Sequence, residues 1–98
     1  MHLGNLRTAI LNFFIATQSD GKFILRIEDT NEDRSMKEYA DYICKDLDWM
    51  ELRWEEGPKV GGPHEPYFQS ERGKIYDKYY EILLKKDLIV SLYLNFLF

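Results

Sequence analysis

Ninety-eight residues, 45% of them apolar and 15% aromatic, suffice for one small domain with a core and are too apolar for a disordered tail. A net charge of −4 argues against a free-standing nucleic-acid module, which usually shows a basic excess or a basic face, so any such contact is local or lent by other parts. The single cysteine, Cys44, excludes an internal disulfide and has no neighbours at metal-ligand spacing; a small core residue in a reducing cytoplasm is expected, with no protein-bound metal site.

The opening "MHLGNLRTAILNFF" has no basic stretch, apolar run and cleavage site of a signal peptide. Leu6, Ile10, Phe13, Phe14 and Thr17 recur at helical spacing, which predicts a helix over about 4–18 with one apolar stripe, ended by Ser19, Asp20 and Gly21. If Asn5 to Arg7 form its first turn, their free amides and the helix dipole attract phosphate. Gly4 would let a nucleotide approach, and His2 and Asn5 can donate to phosphate oxygens. The competing reading is that Gly4 and Asn5 simply start a helix and His2 is solvated.

"KFILRIE" (22–28) reads as a strand buried on both faces of a parallel sheet, so helix then strand suggests α/β winding. Ile24, Arg26 and Glu28 share one face, and Glu28 sits at the carboxyl end, where open α/β sheets place ligands. A carboxylate there can hold an ammonium group; equally, Arg26 and Glu28 could pair with each other. Asp29, Thr30 and Asn31 suit a turn, and Arg34 could pair with Glu38 or reach a phosphate.

Ser35 with Glu38 forms a capping box, and Met36, Tyr39, Ala40, Ile43, Cys44 and Leu47 repeat at helical spacing. "EEGPKVGGPHEPY" holds all three prolines and three glycines, and predicts a long ordered loop with functional potential. Trp49, Trp54, Tyr67 and Phe68 are expected in the core or packed on loops, and His64 at the surface. From Ser70 a third helical period runs through Ile75, Tyr79, Ile82 and Leu83 to Lys85 and Lys86. The end, "LIVSLYLNFLF" (88–98), is too short to span a bilayer and reads as a buried strand or an exposed, aggregation-prone end.

Together, "HLGNLRTAILNFF", "GKFILRIEDTNEDRS", "DLDWMELRWEEGP" and "PYFQSERGKIYDKYYEILLKK" resemble the amino-terminal part of the catalytic domain of bacterial-type glutamyl-tRNA synthetases, members of class I, from His2 to about Lys86. The His-Leu-Gly-Asn tetrad stands in place of the class I "HIGH" motif. The resemblance implies an α/β fold: a truncated, Rossmann-like nucleotide-binding domain, helix-rich, with an incomplete parallel sheet. It implies residues 1–87 as a partial catalytic domain lacking its first strand and 88–98 as a departing apolar tail, with Met1 an internal methionine taken as a start.

The implied partners are ATP with Mg2+, glutamate and tRNA, and no membrane. His2 and Asn5 would stabilise the transferring phosphate as catalytic donors, and His2, Gly4 and Asn5 would bind ATP. Glu28 would bind the amino group of glutamate, and Arg34 would approach the tRNA acceptor end. Glutamate–tRNA ligation follows as the function by lineage, with negligible activity and self-association expected of the isolated piece, which lacks the "KMSKS"-like lysine loop. Phe68 stands where the family usually has Arg. Glutamyl-queuosine and glutaminyl paralogues, or a non-catalytic remnant, are the alternatives. His2 and Glu28 are expected to converge on one pocket.

Overall fold

The computed structural model describes residues 2–29 and 35–90, apart from the side chains of Ser35 and Met36. The described residues form three helices and one extended segment: α1 (Leu3–Gln18), α2 (Ser35–Trp49) and α3 (Gly73–Lys85), the last preceded by a short 3₁₀ turn, Gln69–Glu71. Thr30, Asn31, Arg34 and most of the apolar end fall outside the described residues, and so does the side chain of the Ser35 capping box.

The apolar stripe of α1 is Leu6, Ala9, Ile10, Phe13 and Ala16, all packed against a core of Phe23, Leu47 and Leu52. Phe14 and Thr17, expected on that stripe, are exposed, Phe14 by 56%. At 100° per residue the two alanines extend the arc centred on Ile10 and Phe13 away from Phe14. Alanine lets the helix approach the extended run closely, and Phe13 meets Phe23 edge-to-face at 5.6 Å between ring centres. Thr17 instead bonds its hydroxyl to the Phe13 carbonyl at 2.8 Å. The helix ends as the Gly21 amide returns to the Ala16 carbonyl at 2.8 Å, with Asp20 left-handed at φ 55°.

In α2, Ala40, Cys44 and Leu47 are buried, as their spacing predicts. Glu51 takes the left-handed conformation at φ 59°, and the Leu52 amide bonds back to the Leu47 carbonyl at 2.9 Å, which turns Leu52 into the same cluster. Trp49, expected to pack, is 82% exposed because it falls on the opposite face from Leu47.

The run 22–28 is extended but buried on one face only. Phe23 and Ile27 are buried, whereas Ile24, Arg26 and Glu28 are exposed, which corrects the expectation of burial on both faces. Two collinear segments pair with it in parallel, through Ile24↔Glu56 and Ile27↔Phe68. The Leu25 amide donates to the Glu56 carbonyl at 2.9 Å and the Ile27 amide to the Tyr67 carbonyl at 2.9 Å. In return the Phe23 and Ile27 carbonyls accept from Glu55 and Gln69. All of these bonds use odd-numbered residues and therefore one edge. Along the other edge, the backbone groups of Ile24 and Arg26 have no backbone partner among the described residues.

Between the two paired segments the chain leaves and returns through a loop closed by reciprocal bonds between Gly57 and Gly61. Phe68 joins its bridge through the backbone, so a different side chain leaves that pairing intact. The third helix begins after the 3₁₀ turn, three residues later than Ser70, and keeps its apolar side exposed: Tyr76, Tyr79, Tyr80, Ile82 and Leu83 face outward. At the end of the described chain, Leu88 and Val90 are exposed.

Candidate functional site

A groove of about 980 Å³ runs beneath α1, along the run 21–28, and up to Tyr39, Ile43 and Leu47 of α2. Asn5 lines one end of its α1 wall, and Glu28 lines it at the carboxyl end of the extended run. The residues contributed by α1, such as Asn5, Ala9, Asn12 and Ala16, recur at helical spacing, so a single face of the helix roofs the groove.

The helix starts one residue earlier than the sequence predicts, and this shifts its open amides. His2 is the N-cap: its Nδ1 accepts from the Gly4 amide at 3.1 Å. The Leu6 amide already donates to the His2 carbonyl at 3.1 Å. In the first turn the amides of Leu3 and Asn5 therefore remain open among the described residues, rather than those of Asn5 to Arg7. With Nδ1 engaged as an acceptor, the imidazole carries its proton on Nε2, which is available as a donor. His2 does not line the groove; Asn5, three residues on, does.

Glu28 is exposed and makes no hydrogen bond or ion pair among the described residues. The alternative partner for it, Arg26, turns elsewhere: its Nη2 donates to the Tyr76 hydroxyl at 2.9 Å, on α3. Asp29, the adjacent acid, behaves in the opposite way. It is buried, its Oδ1 accepts from the Ser70 amide at 2.9 Å and its Oδ2 from the Ser70 hydroxyl at 2.6 Å. Burial pushes the Asp29 carboxyl up, but the bonds from Ser70, with help from its own backbone and Lys37, outweigh it and hold the group below its ordinary value.

Sequence reasoning missed a second cluster. Glu56 is 2% exposed, and its Oε1 accepts from the Tyr67 hydroxyl at 2.8 Å and the His64 amide at 3.0 Å, with His64 Nδ1 at 2.8 Å. His64 is at the surface, as expected, yet it is paired. Burial raises the Glu56 carboxyl, and the bonds from Tyr67 and His64 bring it below its ordinary value. The only signal in the sequence is a Glu, a His and a Tyr in one Gly-Pro loop, which specifies no contact. Arg72 ties the same loop to α3, donating from Nη1 to the Pro66 carbonyl at 2.7 Å and the His64 carbonyl at 3.1 Å. Among the described residues no three His, Cys, Asp or Glu side chains are grouped to hold a metal. No described helix is long and apolar enough to cross a membrane.

Residues 1–89 match the family of class I tRNA synthetases (E and Q), catalytic domain, and the chain belongs to that family. It is 54% identical over 85 residues to a glutamate–tRNA ligase of Sulfurihydrogenibium sp., covering 87% of this chain and 18% of that protein. With glutamate–tRNA ligase 2 of Alkalilimnicola ehrlichii the identity is 52% over 87 residues, covering 89% of this chain and 18% of the relative. The structure superposes on the crystal structure of a glutamate-tRNA synthetase from Elizabethkingia anophelis with a TM-score of 0.76 at 44% identity, covering 87% of this chain and 17% of that one. The chain thus spans under one fifth of the length of these relatives.

Proposed function

We propose that this chain is part of the catalytic domain of a glutamate–tRNA ligase, which activates glutamate with ATP and transfers it to tRNA. The supporting observation is the pairing in one groove of Asn5, at the amino end of α1, with an unengaged carboxylate, Glu28, whose neighbour Arg26 is drawn off to Tyr76. The names of the relatives supply glutamate and tRNA, and ATP is the energy source that the family resemblance implies.

In this reading residues 1–87 are a partial nucleotide-binding domain of Rossmann-like design. The free edge at Ile24 and Arg26 is where a neighbouring strand of its parallel sheet pairs. ATP fits the amino end of α1, because the open amides of Leu3 and Asn5 and the helix dipole favour phosphate. His2 Nε2 and the Asn5 side chain then donate to the phosphate as negative charge grows in the transition state. Gly4 lies beneath the adenosine, where a side chain would press on the imidazole: a Cβ there stands 3.2 Å from His2 Nδ1.

Glu28 holds the ammonium of glutamate and so orients its carboxylate toward the nucleotide. Magnesium enters with the nucleotide and supplies charge neutralisation on its phosphates. Arg34 serves the tRNA acceptor end. The protein works in the cytoplasm.

Titrating ATP into the ¹⁵N-labelled chain tests the reading. Saturable shifts confined to His2, Leu3, Gly4 and Asn5 are expected. Shifts absent there, or spread evenly over the surface, overturn it.

A further inference from the structure

The sequence offers two adjacent carboxylates, Glu28 and Asp29, and the structure divides their work. Glu28 is exposed to the groove. Asp29 is buried and spends one oxygen on the Ser70 amide and the other on the Ser70 hydroxyl. This clasp closes at the end of the extended run, immediately beyond the bridge between Ile27 and Phe68. On one side of it the Ile27 amide and carbonyl are bonded to Tyr67 and Gln69; on the other Ser70 lies in the 3₁₀ turn that leads into α3.

Glu28 therefore sits between two fixed points, the Ile27 backbone and the Asp29 side chain, both anchored to the same segment, 67–70. Side chains alternate in an extended run, so with Ile27 and Asp29 held buried residue 28 is turned outward, and there Glu28 lines the groove. A carboxylate on a free strand end would lose entropy on binding an ammonium; one whose neighbours are already fixed loses less.

We propose that Asp29, acting through Ser70, is a positioning residue for the substrate's amino group: it sets the direction in which Glu28 presents its carboxylate. This rests on Glu28 being the ammonium ligand. Asp29 itself is not a second ligand, because both its oxygens are engaged and it is shut away from the groove. Ser70, distant in sequence from the run it serves, acquires its role only through the parallel pairing of 67–69 with Ile27.

The test is a glutamate titration of the ¹⁵N-labelled 98-residue chain, followed at the Glu28 amide, in wild type and in E28Q, D29N, S70A and S70T. Wild type is expected to shift saturably, and E28Q to lose the response. D29N and S70A should each weaken glutamate binding about tenfold, the scale of one hydrogen bond to a charged group. The D29N/S70A double variant should be no weaker than either single one, because both break the same clasp.

S70T keeps both donors and should bind as wild type does. The Ser70 amide resonance should also move with pH as Asp29 titrates, and stop doing so in D29N. Should D29N fail to fold, S70A, which removes one oxygen from an exposed residue, carries the same measurement.

Wild-type affinity in folded D29N or S70A overturns the clasp and leaves Glu28 as the ligand. A silent wild-type chain, or an unimpaired E28Q, overturns the reading of Glu28 and the clasp with it.

Discussion

Tyr67 donates its phenolic hydrogen to Glu56 Oε1 at 2.8 Å, a contact between two buried side chains that closes the 57–66 excursion onto the extended run. The bond acts on the titration of both partners. Burial lifts the Glu56 carboxyl, but the donors from Tyr67 and His64 leave it below its ordinary value. A carboxyl depressed by folding contributes stability that is complete above its unfolded value and is lost as pH falls through the folded one. Asp29 adds to the same slope. Tyr67 is shifted upward, by burial first and then by its bond to Glu56. Its contribution is complete below its unfolded value and is lost as pH rises through the folded one.

Thermal melts should therefore be flat across neutrality and fall on acidification below about pH 4 and on alkalinisation above about pH 10. Tyr67→Phe should abolish the alkaline fall and weaken the acidic one. An unchanged pH profile in that variant would refute the assignment.

Gly62 makes this cluster possible. Its φ of 145° is one that residues with side chains rarely adopt, and a Cβ there would collide with Glu56 Cγ and the Tyr67 hydroxyl. Gly62→Ala thus combines backbone strain with overpacking, and is expected to cost about 3 kcal/mol or more. Gly73 has open space around its Cβ position, and Gly73→Ala should be tolerated. Denaturant unfolding of the two variants side by side checks this; equal stabilities would count against the packing described.

The core is small, with Phe23, Leu47 and Leu52 at its centre and α1 contributing only half-buried residues. Leu47, 1% exposed, is the most buried side chain of the cluster against which α1 packs. Leu47→Ala should cost about 2–5 kcal/mol. That is a large share of what a domain of this size commands, so the melting temperature followed by circular dichroism should fall by about 10 °C or more. A variant that retains a cooperative melt close to wild type would mean that α1, α2 and the extended run do not share one core.

The helices were legible because their signal is local. Ala40, Cys44 and Leu47 repeat at a period that only a helix places on one face, and all three are buried. The extended run was legible as extended but not in its burial. Three consecutive apolar residues imply two covered faces, yet Ile24 is 47% exposed and lines the open groove. Phe14 misled for a related reason: an aromatic adjacent to Phe13 looks like part of the stripe, while Ala9 and Ala16, too small to stand out, carry it.

Asn5 and Glu28 were placed by the sequence at a helix start and at the end of an extended run, and both line the groove. The Asp29–Ser70 clasp and the Glu56–His64–Tyr67 cluster could not, because a separation of 41 or 11 residues specifies no meeting until the parallel pairing is known. Arg26 shows the same limit. Spacing set it beside Glu28, and a tertiary contact with Tyr76 took it away.

Adenylate transfer needs cationic and hydrogen-bonding groups around the leaving pyrophosphate, beyond the donors proposed at the amino end of α1. The chain spans 18% of its relatives' length, and no lysine loop of the family's kind lies within its sequence. The isolated chain is therefore expected to show no glutamate-dependent exchange of pyrophosphate into ATP, even where ATP shifts the resonances of Leu3 and Asn5. Measurable exchange by the pure chain would show that these residues suffice for the chemistry.

The open edge of the extended run yields the most direct check on the architecture. Leu25 and Ile27 have their amides bonded to Glu56 and Tyr67, whereas Ile24 and Arg26 have none bonded to backbone among the described residues. Hydrogen exchange should alternate along the run, slow at 25 and 27 and fast at 24 and 26, because protection follows the bond that must open. An unpaired strand edge beside an apolar groove also templates pairing with other chains. Sedimentation velocity should accordingly show association that grows with concentration, and the amides of Ile24 and Arg26 should gain protection as it does. Arg26→Pro, which removes an outward N–H and leaves the bonds of Leu25 and Ile27 in place, should reduce that association. Uniform exchange along 22–28, or a strictly monomeric chain at high concentration, would mean that this edge is already closed.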